Sequence, residues 1–253
     1  MAVASGWTMD EFILSREPHG SRRRLMWRSL EQLQKLWRGE PVEFEDAAGR
    51  LVEARTLPRP VQPELPLWVT CQSTETFVDA GRLGANVLTS LLGETLEEVA
   101  DKVRRYREAR AAGGHPPENG TVSLMLHTFL GPDEERVKED VREPFGAYLK
   151  THYGLLESLA KGMGLEVSLD DFSDDDLDSL LAFGVQGFMR RRSLIGTPQG
   201  CLPFVREMEA LGFDEVCCLI DFVQDDAAVR AALPYLGQLK ALADSAPARA
   251  ARA

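Results

Sequence analysis

The chain has little that would make a metal or disulfide protein. Its four cysteines, Cys71, Cys201, Cys217 and Cys218, show no C-x-x-C spacing, and its four histidines, His19, His115, His127 and His152, form no i, i+3 or i+4 pair. No metal motif is present, and cysteines lying mostly in apolar strand-like runs read as reduced core thiols. No stretch approaches the ~20 apolar residues of a membrane span. The start, MAVASGWTMDEF, lacks a basic region followed by an apolar one. Positive charge is also scarce, since 29 Lys and Arg against 40 Asp and Glu leave a formal net charge of −11. Neither nucleic acid nor an anionic membrane is therefore an expected partner. A cytoplasmic protein is expected. What remains, 253 residues with 44% apolar and 27% charged side chains, suits one large α/β domain with a substantial core.

The chain is organised around residues 58–90, PRPVQPELPLWVTCQSTETFVDAGRLGANVLTS. A proline-rich approach leads into an apolar strand at 67–71, then a polar turn, Gln72-Ser73-Thr74-Glu75-Thr76. A helix over 77–83 follows, with Gly84 placed to close it, and then a second strand at 86–89. Two parallel strands joined by a helix form a right-handed crossover, and ligands bind beyond the strands' carboxyl ends. With Ser73 or Thr74 as N-cap and Thr76 nearby, free N–H groups, the helix dipole and several hydroxyls converge where a phosphate can sit. An ordinary capped helix fits the same residues.

Further along, Ala2-Val3-Ala4-Ser5 reads as the tail of a buried strand, and residues 8–20 as a loop. Ser21 is expected to cap a helix to residue 38, and 42–57 to form a surface hairpin. Amphipathic spacing predicts a helix over 94–112, and an apolar run predicts a strand over 121–130. A long helix over 132–162 is expected to kink or break at Pro144. The acidic run 170–176 suits the amino end of a helix over 177–191, as a solvated cap rather than a metal site. Thr197-Pro198 should open a helix ending at Gly212, and 215–220 looks like a strand buried on both faces. A helix over 225–243 and a disordered tail finish the chain, giving one domain over 1–243 with the tail at 244–253. Parallel strands are expected at Val3, Val69, Val87, Leu124 and Val216, with Leu194 a doubtful sixth. A closed β/α barrel needs eight.

Several motifs, in order, carry a likeness. They are Ala2 to Trp7, then Arg59-Pro60-Val61-Gln62-Pro63-Glu64-Leu65-Pro66-Leu67-Trp68-Val69-Thr70, then Glu75-Thr76-Phe77 with Gly84-Ala85-Asn86. Leu124-Met125-Leu126-His127-Thr128-Phe129, Gly196-Thr197-Pro198 and Cys218-Leu219-Ile220-Asp221-Phe222 complete the set. The chain resembles a luciferase-like, flavin-dependent monooxygenase, most closely the subgroup associated with natural-product assembly lines. The resemblance covers residues 1 to about 242 and argues against an unrelated phosphate-binding enzyme.

The resemblance implies an α/β fold of the (β/α)8 TIM-barrel type that lacks about the first three β/α units. It also implies FMN, reduced by a separate flavin reductase, reacting with O2 to oxygenate a small-molecule or carrier-bound substrate. By the same likeness Ser5, Gly6 and Trp7 lie beside the flavin ring, Arg22 lies near the phosphate, and Gln72, Ser73 and Thr76 hold it. The first third of such a barrel, with a histidine-bearing loop near the flavin, has no counterpart here. A misassigned gene start or a shortened relative completed by another subunit both fit, and the second reading is a non-catalytic flavin-binding or partner-subunit remnant. An open sheet would expose apolar edges, so a homodimer or a partner chain is expected. His127 reads either as facing the site or as a core histidine. The run Arg190-Arg191-Arg192 could meet a phosphopantetheine-like carrier, though basic residues are usual at a helix carboxyl end.

Overall fold

The computed structural model describes residues 1–6, 9–15, 17–91, 94–151, 189 and 192–245. The predicted helix over 177–191 and the acidic run before it lie outside these residues, apart from Met189, as do Trp7, Arg190, Arg191 and the tail from 246 onward. Arg192 is described and is half-buried.

Six strands form one parallel sheet. They are β1 (Ala2–Val3), β4 (Trp68–Thr70), β5 (Asn86–Ser90), β6 (Val122–Leu130), β7 (Ser193–Gly196) and β8 (Glu215–Leu219). The order is β1-β4-β5-β6-β7, with β8 also on β6. The run at Leu194, doubtful from sequence, is therefore a sixth strand. β6 is the sheet's centre because its apolar residues are buried almost end to end. β7 takes its carboxyl half, from His127↔Ser193, and β8 its amino half, from Ser123↔Glu215. Among the described residues β1 and β8 do not pair, so the barrel is not closed.

That opening corrects three expectations. In β1 Ala2 is exposed and Val3 half-buried, because the strand has a neighbour on one side only among the described residues. The strand expected to be buried on both faces is instead β8, with Glu215 and Cys217 exposed, because it pairs with β6 alone. Cys71 and Cys201 are core thiols, but Cys217 is exposed and Cys218 intermediate.

Local chemistry sets the helices. The α1 helix (Arg22–Arg38) ends at Gly39 in the left-handed region, but Ser21 makes no capping bond. Its hydroxyl donates backwards to the Pro18 carbonyl at 2.8 Å instead. The hairpin β2 (Val42–Glu45) and β3 (Leu51–Ala54) lies where expected. Helix α2 (Thr74–Leu83) starts three residues before the predicted bound, because Ser73 caps it, and Gly84 closes it at φ 76°. Helix α3 (Leu96–Ala112) opens with a reciprocal Thr95–Glu98 capping box. Its stripe of Val99, Val103 and Tyr106 is buried at 3–4-residue spacing, each apolar side chain stabilising by about 1.5–3 kcal/mol.

Gly81 lets α2 and α3 close up, since a Cβ there would lie 2.5 Å from the Tyr106 carbonyl oxygen. The Tyr106 hydroxyl donates to the Ala85 carbonyl at 2.8 Å, tying α3 to the approach of β5.

Helix α4 (Glu134–Thr151) runs through Pro144, so of the expected kink or break there is no break. Val141, Phe145 and Leu149, on both sides of the proline, are buried in one cluster with Ile195 and Phe222, and that burial offsets the lost backbone bond. Helix α5 (Pro198–Ala210) is capped by Thr197, whose hydroxyl accepts from Gly200 N–H at 3.0 Å. Helix α6 (Asp226–Asp244) is capped by Asp225. Among the described residues no helix is long and apolar enough to cross a membrane.

Candidate functional site

The strands are parallel, so their carboxyl ends share one edge, and β4, β6 and β7 each lead through a short turn into a helix. At the end of β4 the chain turns at Gln72 and Ser73. Ser73 is extended (φ −81°, ψ 148°), which aims its hydroxyl back at the first turn of α2. There it accepts from Thr76 N–H at 3.3 Å and lies 3.0 Å from the Thr76 hydroxyl. Thr74 and Glu75 have first-turn N–H groups with no intrahelical acceptor. Fully buried Phe77 and Ala80 anchor the helix behind them. The result is a fixed pair of hydroxyls at the positive end of a helix, a geometry suited to an oxyanion.

Gln72 is fixed differently. Its amide donates to Glu94 at 2.8 Å, Ser90 donates to its carbonyl oxygen at 3.5 Å, and Lys102 donates to its backbone oxygen at 2.6 Å. It therefore binds together the ends of β4 and β5 and the flank of α3. Lys102 is itself paired with Glu94 at 2.5 Å. Arg23 pairs with Glu75 at 2.6 Å and approaches Asp79 at 3.8 Å. Among the described residues these two cations beside the turn are thus matched by carboxylates, and the turn offers neutral donors and a dipole rather than free positive charge.

Ser5 and Gly6 lie one strand over. Val3 pairs with Val69, so Ser5 and Cys71 lie two residues beyond the same pair. Gly6 has φ +91°, and a Cβ there would fall 2.6 Å from the Phe12 ring, so only glycine fits without a shift. Ser5 and Arg22 line a cavity of about 320 Å3 between β1 and α1. Arg22 turns to His19, its Nη1 donating to the His19 carbonyl at 3.2 Å. Between the described residues, the contact from α1 to the first turn of α2 is made by Arg23, not Arg22. Of the seven residues singled out from sequence, Gln72, Ser73 and Thr76 lie together, Ser5, Gly6 and Arg22 form a second group on the neighbouring strand, and Trp7 lies outside the described residues. Sequence reasoning missed Arg23, Glu75, Glu94 and Lys102. Only the alternation of charge around the turn hinted at them.

His127 is 5% exposed, with the rings of Phe145, Tyr148 and Phe222 at 5.1, 5.1 and 5.6 Å. It is packed as a core residue.

The family model of luciferase-like monooxygenases matches residues 1–215. The chain belongs to the luciferase-like monooxygenase family. It is 24% identical over 196 residues to the oxygenase component of a flavin-dependent trigonelline monooxygenase from Acinetobacter baylyi, a match covering 75% of this chain and 51% of that protein. This luciferase-like chain thus spans about half the length of that relative. Among solved structures it is similar to the oxygenating constituent of 3,6-diketocamphane monooxygenase from Pseudomonas putida, in complex with FMN. The TM-score is 0.68 at 17% identity, covering 98% of this chain and 72% of that one. Monooxygenase RslO1 from Streptomyces bottropensis gives 0.66 at 18% identity, covering 96% and 68%.

Proposed function

We propose that this luciferase-like chain takes part in FMN-dependent oxygenation of an organic substrate in natural-product biosynthesis, with reduced flavin delivered by a separate reductase in the cytoplasm. Family membership supports the reaction class, and the relative that is an oxygenase component supports the reductase. The observation that carries the cofactor assignment is the Ser73–Thr76 turn, where two hydroxyls and the first N–H groups of α2 meet at the sheet's carboxyl edge.

The residues fit FMN in these respects. The turn suits its phosphate, and Ser5 and Gly6 lie at the same sheet edge one strand over. Ser73, Thr76 and Gln72 would hold the phosphate, and Ser5 and Gly6 would border the ring, with Trp7 and Arg22 completing the set. Bound reduced flavin supplies two electrons to O2, so that one oxygen atom enters the substrate and the other leaves as water. The chain's own work is to hold the ring, orient a small or carrier-bound substrate against it, and exclude water.

A second reading is a non-catalytic flavin-binding or partner subunit, favoured by the unpaired outer edges of β1 and β8 among the described residues. Either a second copy or another chain would cover those edges. Supplying the purified chain with reduced FMN, O2 and candidate substrates separates the two. Oxygenated product formed by this chain alone supports the first reading. Flavin binding without product, restored to turnover by a partner chain, supports the second.

A further inference from the structure

Two donors without a partner among the described residues lie beside the cavity between β1 and α1: one on Arg22, which lines it, and one on His19, which packs behind the lining residues Phe12 and Arg22. Arg22 Nη1 lies 3.4 Å from His19 Nδ1. A guanidinium has donors only, so Nδ1 is the acceptor in this contact, and the neutral ring carries its proton on Nε2. That Nε2 and Arg22 Nε are both buried, and neither has a hydrogen-bond partner among the described residues. Buried N–H groups are rarely left so, and two in one contacting pair point to an absent acceptor. Phe12 packs edge-on against His19 at 5.3 Å and, with Arg22 and Ser5, lines the cavity. The rest of the wall is mostly apolar, with Val3, Leu25, Leu30 and Leu33 prominent.

We propose that this cavity binds an oxyanion on an apolar body, with the Nε–H of Arg22 and the Nε2–H of His19 as its donors. The site differs in kind from the Ser73–Thr76 turn. Here a guanidinium without a carboxylate partner among the described residues faces a mostly apolar cavity, whereas Arg23 beside it is matched by Glu75. The carboxylate of an organic acid and the phosphate of a flavin share the recognised chemistry, and the apolar wall favours the acid. Ser5 and Arg22 also belong to the proposed flavin set, so the test carries an FMN arm that separates the two readings.

The test is a titration of the full chain, labelled with 15N-histidine, with octanoate, octanol, inorganic phosphate and FMN. Octanoate is expected to move the His19 Nε2 resonance, and octanol, which has the body without the charge, to bind at least about tenfold more weakly. Arg22→Gln should abolish that difference. His19→Gln, which keeps a side-chain N–H donor, should retain part of it, and the amide spectrum shows whether each variant is folded. A response to phosphate and FMN but not to octanoate would overturn the apolar-body assignment and identify the oxyanion as a phosphate. Octanoate binding that survives Ser73→Ala would confirm a site separate from the turn. Equal binding of octanoate and octanol, or a His19 signal unmoved by all four, would overturn the proposal, and both outcomes are read on the wild-type chain.

Discussion

The hydroxyls of Ser73 and Thr76 lie 3.0 Å apart at the first turn of α2, and the Ser73 oxygen also accepts the Thr76 N–H at 3.3 Å. One serine is thus a helix cap and, in the proposed function, a ligand donor as well, and the two roles predict different losses. As a cap, Ser73→Ala should lower unfolding free energy by about 1 kcal/mol, measured by urea denaturation at unchanged m-value.

Glu75 bears on the same turn from the opposite direction. Its carboxylate sits in the first turn of α2 and pairs with Arg23. For a dianionic phosphate it is a like charge, and it neutralises Arg23. Glu75→Gln should tighten FMN binding by roughly two- to fivefold at low salt, the scale of about 0.3–1 kcal/mol for an exposed charge at a helix end. The gain should fade as ionic strength rises. Titrations at two salt concentrations check both statements.

The cysteines divide by place in the sheet. Burial pushes the Cys71 thiol up, with Asp79 adding to it, and pushes Cys201 up to about 11, while Cys217 is exposed on β8. A thiol-specific reagent should therefore modify Cys217 first, and Cys71 and Cys201 only on unfolding. Stability follows the same logic. Above the unfolded thiol value of about 8.5 the unfolded chain loses protons that the folded core retains, so stability falls as pH rises until the folded values are passed. Denaturation midpoints at pH 8 and pH 10 should show the drop, and replacing Cys201 with serine should reduce it.

What the sequence showed and what it hid divide along physical lines. The Ser73 cap, the Gly84 termination and the Thr197-Pro198 helix start were legible because each depends on a few adjacent residues. The exposure of Cys217 was not, since an apolar run reads alike whether its strand is central or at an edge, and only pairing decides. Ser21 failed as a cap because its hydroxyl found the Pro18 carbonyl first. Arg22 and Arg23 are adjacent and alike in sequence, but successive helical residues point about 100° apart, so only packing decides which reaches α2. At Pro144 the helix continues because the local backbone cost is outweighed by apolar burial on both sides of it.

The central claim is that the turn after β4 holds the phosphate of a flavin. Isothermal titration of wild-type and Ser73→Ala chains with FMN and with riboflavin tests it most directly, because the two ligands differ only in that phosphate. Removing a hydroxyl that bonds a charged group should weaken FMN binding by about ten- to a hundredfold and leave riboflavin binding nearly unchanged. Equal weakening of both ligands, or a wild-type chain that does not distinguish them, would contradict the account.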